Sequence, residues 1–163
     1  MVVYFFDSSA LAKQYIDEPG SRWVQRVLSQ FPLTVIAEIT IVEVTSALAR
    51  RWRTGEITAE EYQFAKRVFL QDVRWHRVIS ARRSTVVRAI DLIDRHPLRA
   101  YDALQLATAL EVADIVGAEG SSLTFVSADA RLCAAAAQEG LATVNPNEMT
   151  SGQMTNDQWS NDQ

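Results

Sequence analysis

Four acids in this 163-residue sequence stand where chemistry is easiest to do: Asp7, Glu43, Asp102 and Asp129. Asp7 ends the apolar run at residues 2–6, and Asp129 follows the apolar run at 123–126. Glu43 lies in the first turn of a helical segment opening at Thr40, and Asp102 in the first turn of one opening at Ala100. Carboxylates that converge raise one another's pKa values unless a counter-charge is present. A divalent cation that prefers oxygen ligands, Mg²⁺ or Mn²⁺, supplies that charge.

Each acid also has an explanation in local backbone chemistry. Thr40-x-x-Glu43 has the spacing of a capping box. Asp102 sits where a helix dipole favours an anion. Asp7 and Asp129 can cap the helices that follow them. Taken singly, each acid reads first as a cap. Capping is served equally by Ser, Thr or Asn, however, and nothing in it makes four carboxylates converge on one crevice.

The elements that must position these acids can be read from hydrophobic periodicity. Segments 2–6, 33–37, 77–80, 123–126 and 142–144 read as short strands. Segments 8–15, 21–30, 40–53, 58–75, 84–96, 100–116 and 128–139 read as helices. Trp23, Val24, Val27 and Leu28 share one face of the second helix. Thr58-Ala-Glu-Glu61 is a capping box, Gly55 closes the helix before it, and Pro97 stops the helix ending at His96. The Ala- and Leu-rich helix from Ala100 reads as central and buried. Strands alternating with helices indicate an α/β fold with a mainly parallel sheet. In such a sheet ligands bind beyond the carboxyl ends of the strands, where the strand order reverses. That is where Asp7 and Asp129 should lie, with Glu43 and Asp102 pointing in from helix N-termini. Residues 1–145 read as one domain, and 146–163 as a polar, disordered or loosely attached tail whose one hydrophobic anchor is Trp159.

Composition removes several function classes. The apolar runs fall short of the ~20 residues a membrane span needs. The N-terminus lacks a basic n-region and meets an acid directly after five apolar residues, so the expected compartment is the cytoplasm. One cysteine and two histidines cannot fill a four-ligand zinc site without carboxylates. Cys133, in RLCAAAA, reads as a buried structural thiol. His76 and His96 stand at helix ends, away from the strand edge, so a metal-free histidine mechanism is set aside. The formal net charge of −4 hides an asymmetry. Residues 50–99 carry twelve Lys/Arg against six Asp/Glu, whereas the rest of the chain carries four against fourteen. A basic middle section is either a set of solvated helix faces or a surface that tracks phosphates beside an acidic centre.

At four places the residues resemble a known family, the PIN-domain ribonucleases, and within it the VapC-type toxins of toxin–antitoxin pairs. The segments are YFFDSSALAK (4–13), TIVEVTSALAR (40–50), AYDALQLATAL (100–110) and LTFVSADARL (123–132), which place Asp7, Glu43, Asp102 and Asp129 at the family's acids. Each motif alone is weak; their order and spacing carry the resemblance across residues 1–145. Ser127 stands where the family often has Thr. The resemblance implies a three-layer α/β/α domain with about five parallel strands, and Mg²⁺- or Mn²⁺-dependent endonucleolytic cleavage of RNA. It also implies a homodimer and inhibition by a small cognate antitoxin.

On that reading Asp7, Asp102 and Asp129 bind metal directly or through water, and Glu43 either joins them or orients the attacking water. Ser9 and Ser127 are candidates to hold the carboxylates. Arg50, Arg51, Arg53, Arg82 and Arg83 are candidates to contact RNA. Products would carry 5′-phosphate and 3′-hydroxyl ends. Other readings are a PIN-like fold that binds RNA or protein without cutting, and a housekeeping RNA-processing nuclease. An aspartyl phosphatase would want an acid two residues after Asp7, where Ser9 stands. A receiver module would want a late lysine, and none follows Lys66.

Overall fold

The computed structural model describes residues 1–30 and 33–149. In chain order the elements are β1 (Val2–Phe6), α1 (Ser8–Leu11), α2 (Ser21–Gln30), β2 (Thr34–Ala37), α3 (Ile39–Arg53), α4 (Ala59–Asp72), β3 (His76–Ile79), α5 (Arg83–Arg95), α6 (Ala100–Ala118), β4 (Ser122–Val126), α7 (Ala130–Gln138) and β5 (Ala142–Val144). Single 3₁₀ turns follow α1 and α4, and another spans Pro146–Glu148. The strands form one five-stranded sheet in the order β3-β2-β1-β4-β5, and every neighbouring pair is parallel. The chain walks outward from β1 to β3, then returns to place β4 on the other side of β1. The strand order therefore reverses between β1 and β4, which makes their carboxyl ends the crevice of this fold.

The alternation of β1 builds the three layers. Val3 and Phe5 join Leu123 and Phe125 of β4 in a core covered by α5, α6 and α7. Tyr4 and Phe6 point the other way, into a core closed by α1, α2, α3 and α4. These four of the five β1 side chains are buried, as expected of a central strand covered on both faces. The Phe5 and Phe125 rings stack with centroids 5.7 Å apart across the β1–β4 pair. Helix α6 is buried almost all round, from Ala103 to Val112. Among the described residues no helix is long and apolar enough to cross a membrane.

Three boundaries differ from the sequence pattern in ways that matter to the site. The helix expected over 8–15 is one turn of α-helix followed by a 3₁₀ turn at Ala12–Gln14. There the chain doubles back so that the Lys13 ammonium donates to Glu18 Oε1 at 2.9 Å and to the Pro19 carbonyl at 2.8 Å. Helix α3 opens at Ile39 with Glu38 as its N-cap, so Thr40 lies inside the helix. Residues 146–149, expected to begin the tail, form a turn with Pro146 buried and Met149 packed against the core. The rest of that tail, Trp159 included, lies outside the described residues.

The Pro146 turn is held by a glycine. Gly20 has φ +88°, and a Cβ there would meet the Pro146 carbonyl oxygen at 2.5 Å. Gly55 has φ +77° with nothing within 4 Å. Alanine at Gly55 should therefore cost only the backbone strain, about 1–2 kcal/mol. Alanine at Gly20 should cost distinctly more, because it also dislodges the turn. Urea unfolding of both variants checks this, and equal costs would contradict the close packing of Gly20 on Pro146.

Candidate functional site

An open cavity of about 910 Å³ lies at the carboxyl ends of β1 and β4. Helix α1, the length of α3, the opening turn of α6 and the turn containing Asn147 complete its wall. Asp7, Glu43, Asp102 and Asp129, contributed by four separate parts of the chain, all line it.

Asp7 is the N-cap of α1, and it is 3% exposed. Its Oδ1 accepts from the Ala10 amide at 3.0 Å and the Ser9 hydroxyl at 2.8 Å. Burial nevertheless pushes its carboxyl up to about 7, against the pull of hydrogen bonds from Ala10, Ser9 and Ser127, and the charge of Glu43 adds to the rise. A carboxylate taken out of water with no cation beside it behaves this way. Asp129 also realises its capping role, since its Oδ1 accepts from the Arg131 and Leu132 amides at 2.8 and 3.3 Å. Asp102 sits in the first turn of α6, with Arg99 Nε 3.7 Å from its Oδ2.

Glu43 departs from the capping expectation. Because the N-cap of α3 is Glu38, two residues before Thr40, Glu43 is not at the capping-box position. Its Oε2 accepts instead from Gln105 Nε2 of α6 at 2.7 Å. Burial raises its pKa, hydrogen bonds from Gln105 and Ser8 lower it, and the charge of Asp102 raises it further. The local explanation that could have made Glu43 purely structural is absent.

Ser9 and Ser127 lie where carboxylate-holding groups are needed. Ser9 Oγ donates to Asp7, accepts from the Ala128 amide at 2.9 Å, and lies 3.4 Å from Ser127 Oγ. The fully buried Ser127 accepts from the Asp129 amide at 3.1 Å. The two hydroxyls thus fasten the segment after β1 to the segment after β4.

Among the five arginines expected to meet RNA, Arg50, Arg51 and Arg53 line the cavity, whereas Arg82 and Arg83 do not. Those two open α5, beyond the edge strand β3. Arg51 is also tied to Glu18 and to Glu56. Residues the sequence reading passed over include Lys13, Ser8, Arg99 and Asn147, all on the cavity wall, and Gln105 behind it. Only the DSSALAK and DALQ contexts hinted at Lys13 and Gln105. Cys133 is half-buried and donates to the Ser127 carbonyl at 3.3 Å. Burial raises its thiol to about 11, with the charges of Asp7 and Glu148 adding to the rise, so it is no nucleophile. His76 pairs with Thr34 and His96 with Glu139, both off the cavity wall.

Among the described residues no three His, Cys, Asp or Glu side chains sit close enough to form a ready-made metal shell. The site still fits a hard cation. Its acids offer only oxygen donors, and Mg²⁺ is commonly held by one or two carboxylates while keeping several waters. Neither raised carboxyl, Asp7 or Glu43, has a Lys or Arg among the causes of its shift. A divalent cation would supply the missing charge.

The PIN domain family model matches residues 4–138. A curated relative, Ribonuclease VapC45 of Mycobacterium tuberculosis, is 29% identical over 114 residues, covering 70% of this chain and 79% of the relative. A toxin–antitoxin complex from Klebsiella pneumoniae superposes with TM-score 0.60 at 17% identity, over 90% of this chain and 99% of that one. Mycobacterium tuberculosis VapC20, described as a sarcin–ricin loop cleaving toxin, superposes with TM-score 0.60 at 18% identity, over 88% and 99% of the two chains. At these identities the two structures speak to the fold.

The Asp7 shift makes stability depend on pH with a definite sign. The folded chain keeps the Asp7 proton up to about pH 7, while the unfolded chain releases it near 4. Between those values the folded state binds more protons, so metal-free stability falls as pH rises through the window. Asp7→Asn should flatten that fall and raise Tm above wild type at about pH 8 by several degrees. Excess Mg²⁺ should raise wild-type Tm more at about pH 8 than at about pH 5. Calorimetry checks both, and a Tm unaffected by Asp7→Asn across the window would remove Asp7 as a buried anion.

Proposed function

The chain belongs to the PIN domain family, and on that footing we propose that it is a divalent-metal-dependent endoribonuclease, the toxin of a toxin–antitoxin pair. The observation that carries this reading is the convergence of four carboxylates, from four separate parts of the chain, on one cavity at the β1/β4 switch point. The ribonuclease name of the 29%-identical relative supports the activity, and the toxin–antitoxin complex of like fold supports the partner. The catalytic unit is the domain at residues 1–145 with the turn at 146–149 that completes its cavity wall, acting in the cytoplasm as a homodimer on RNA.

The residues divide the work. Asp7, Asp102 and Asp129 are the groups that would hold Mg²⁺ or Mn²⁺, with Glu43 either beside them or orienting the attacking water. When bound, such a cation lowers the pKa of water and stabilises the charge of in-line displacement at phosphorus. Ser9 holds Asp7 in its rotamer and ties it to the β4 loop. The backbone amides that Asp7 and Asp129 cap fix both carboxylates before substrate arrives, so little reorganisation remains for the reaction. Arg50 and Arg53, on the cavity wall, contact phosphates flanking the cut, and Arg51 contributes less because Glu18 and Glu56 share its charge.

Purified protein should cut RNA with Mg²⁺ or Mn²⁺, leave 5′-phosphate ends, and stop when chelator is added. Asp7→Asn or Asp102→Asn should remove activity by 10²-fold or more while circular dichroism stays native; full activity in either variant sinks the assignment. Arg50→Ala with Arg53→Ala should weaken RNA binding and reduce the slope of log affinity against log salt by roughly 0.7 per lost phosphate contact. Arg82→Ala with Arg83→Ala, off the cavity wall, should change the slope less. Expression of the chain alone should arrest growth, and co-expression of the neighbouring open reading frame should relieve it. Absence of arrest, with cleavage intact, would favour a housekeeping nuclease.

A further inference from the structure

Gln105 has no place in the carboxylate set, yet it is the most unusual polar residue behind it. It lies in α6, the helix whose buried surface is otherwise alanine, leucine, valine and one threonine, and it is 0% exposed. Its Nε2 donates to Glu43 Oε2 at 2.7 Å and to Thr40 Oγ1 at 2.8 Å, joining α6 to the opening of α3. Its Oε1 is buried with no hydrogen-bond partner among the described residues. A buried unpaired carbonyl oxygen destabilises the fold, because it loses its hydrogen bond to water and gains none in return. The opposite amide orientation would set that oxygen against the Glu43 carboxylate, so the orphan is the consequence of aiming the NH₂ at Glu43. A methionine or leucine would fill the same volume without this cost. A residue that stabilises poorly and aims one donor at a cavity-wall acid and the other at a neighbouring buried hydroxyl has a role other than packing.

We infer that Gln105 is a positioning residue for Glu43: it fixes the carboxylate's rotamer and points the remaining oxygen, Oε1, toward the cavity. The inference rests on the ribonuclease reading and adds to it a specific contact on which the reaction depends. Thr40 completes the device from the other side. Its hydroxyl, itself fully buried, accepts the second N–H of the amide and keeps the amide plane from rotating. Asp102 lies one helical turn before Gln105 on the same face of α6. One helix face thus supplies both an acid of the site and the group that orders another acid.

The test is steady-state cleavage of an oligoribonucleotide by Gln105→Met, Glu43→Gln and the double variant, with melting temperatures for each. Gln105→Met should lower kcat by about 10–100-fold with KM nearly unchanged, and its Tm should hold or rise because the orphaned carbonyl is gone. In the double variant the loss should match that of Glu43→Gln alone, the non-additivity of two groups that act as one. Gln105→Asn keeps the amide but shortens it by one methylene, so it should lose kcat in the same way; it serves as the second variant if the methionine protein does not fold. Thr40→Val breaks only the outer hydrogen bond and should lose less than either. Wild-type kcat in Gln105→Met or Gln105→Asn overturns the inference, as does a double variant whose losses multiply. If wild type itself cuts no RNA under any divalent cation, the ribonuclease reading fails instead. If Glu43→Gln retains full activity while Asp7→Asn is dead, Glu43 leaves the catalytic set and Gln105 goes with it.

Discussion

The desolvated carboxylate of Asp7 is the constraint around which the rest of the site is arranged. An anion 3% exposed at the end of a central strand is among the more costly things a small domain can contain. Two hydrogen bonds to one oxygen reduce the cost without removing it, and the proton is held to about pH 7. Glu43, half-buried across the cavity, meets the same problem. Two acids that resist ionisation in one crevice form a device waiting for positive charge, and the proposed divalent cation answers that need better than a lysine would, because it also acts on water.

The supporting structure follows from keeping that charge fixed. Ser9 and Ser127 bind the β1 and β4 loops into one rigid edge, and Gln105 holds Glu43 from behind. Lys13 is buried, but its ammonium is turned to Glu18 and the Pro19 carbonyl. It closes the turn before α2 and leaves Asp7 and Glu43 uncompensated. The same Glu18 engages Arg51. The cavity is therefore bipolar, with its acids at the strand ends and its basic groups along the last turns of α3, an arrangement suited to a polyanion lying across a metal-assisted cutting point.

Caps and proposed ligands turned out to be compatible. Asp7 and Asp129 each use one oxygen to satisfy helix N–H groups, so the capping explanation for them is true as well as insufficient. Glu43 is the instructive case. Its spacing from Thr40 invites a capping box, but the helix opens at Ile39, where Glu38 follows the last residues of β2 and its amide pairs with the Ile79 carbonyl of β3. That cross-strand bond sets where the helix starts, and no local pattern around Thr40 could reveal it.

The sequence alone determined the things that depend on near neighbours. Strand and helix order follow from hydrophobic period, the α4 capping box from four consecutive residues, and the buried character of α6 from its alanine- and leucine-rich composition. The four acids were legible because each sits at the end of a strand or the start of a helix, positions that local pattern marks. The tertiary structure decided what depends on residues far apart in the chain. It placed β4 beside β1, and so put Asp129 and Asp7 on one crevice. It brought Gln105 within reach of Glu43 across 62 positions, kept Arg82 and Arg83 off the cavity, and turned Lys13 away from the acids. Hydrogen bonds and desolvation act over a few ångströms in space, and spacing along the chain carries that information only within a single helix or strand.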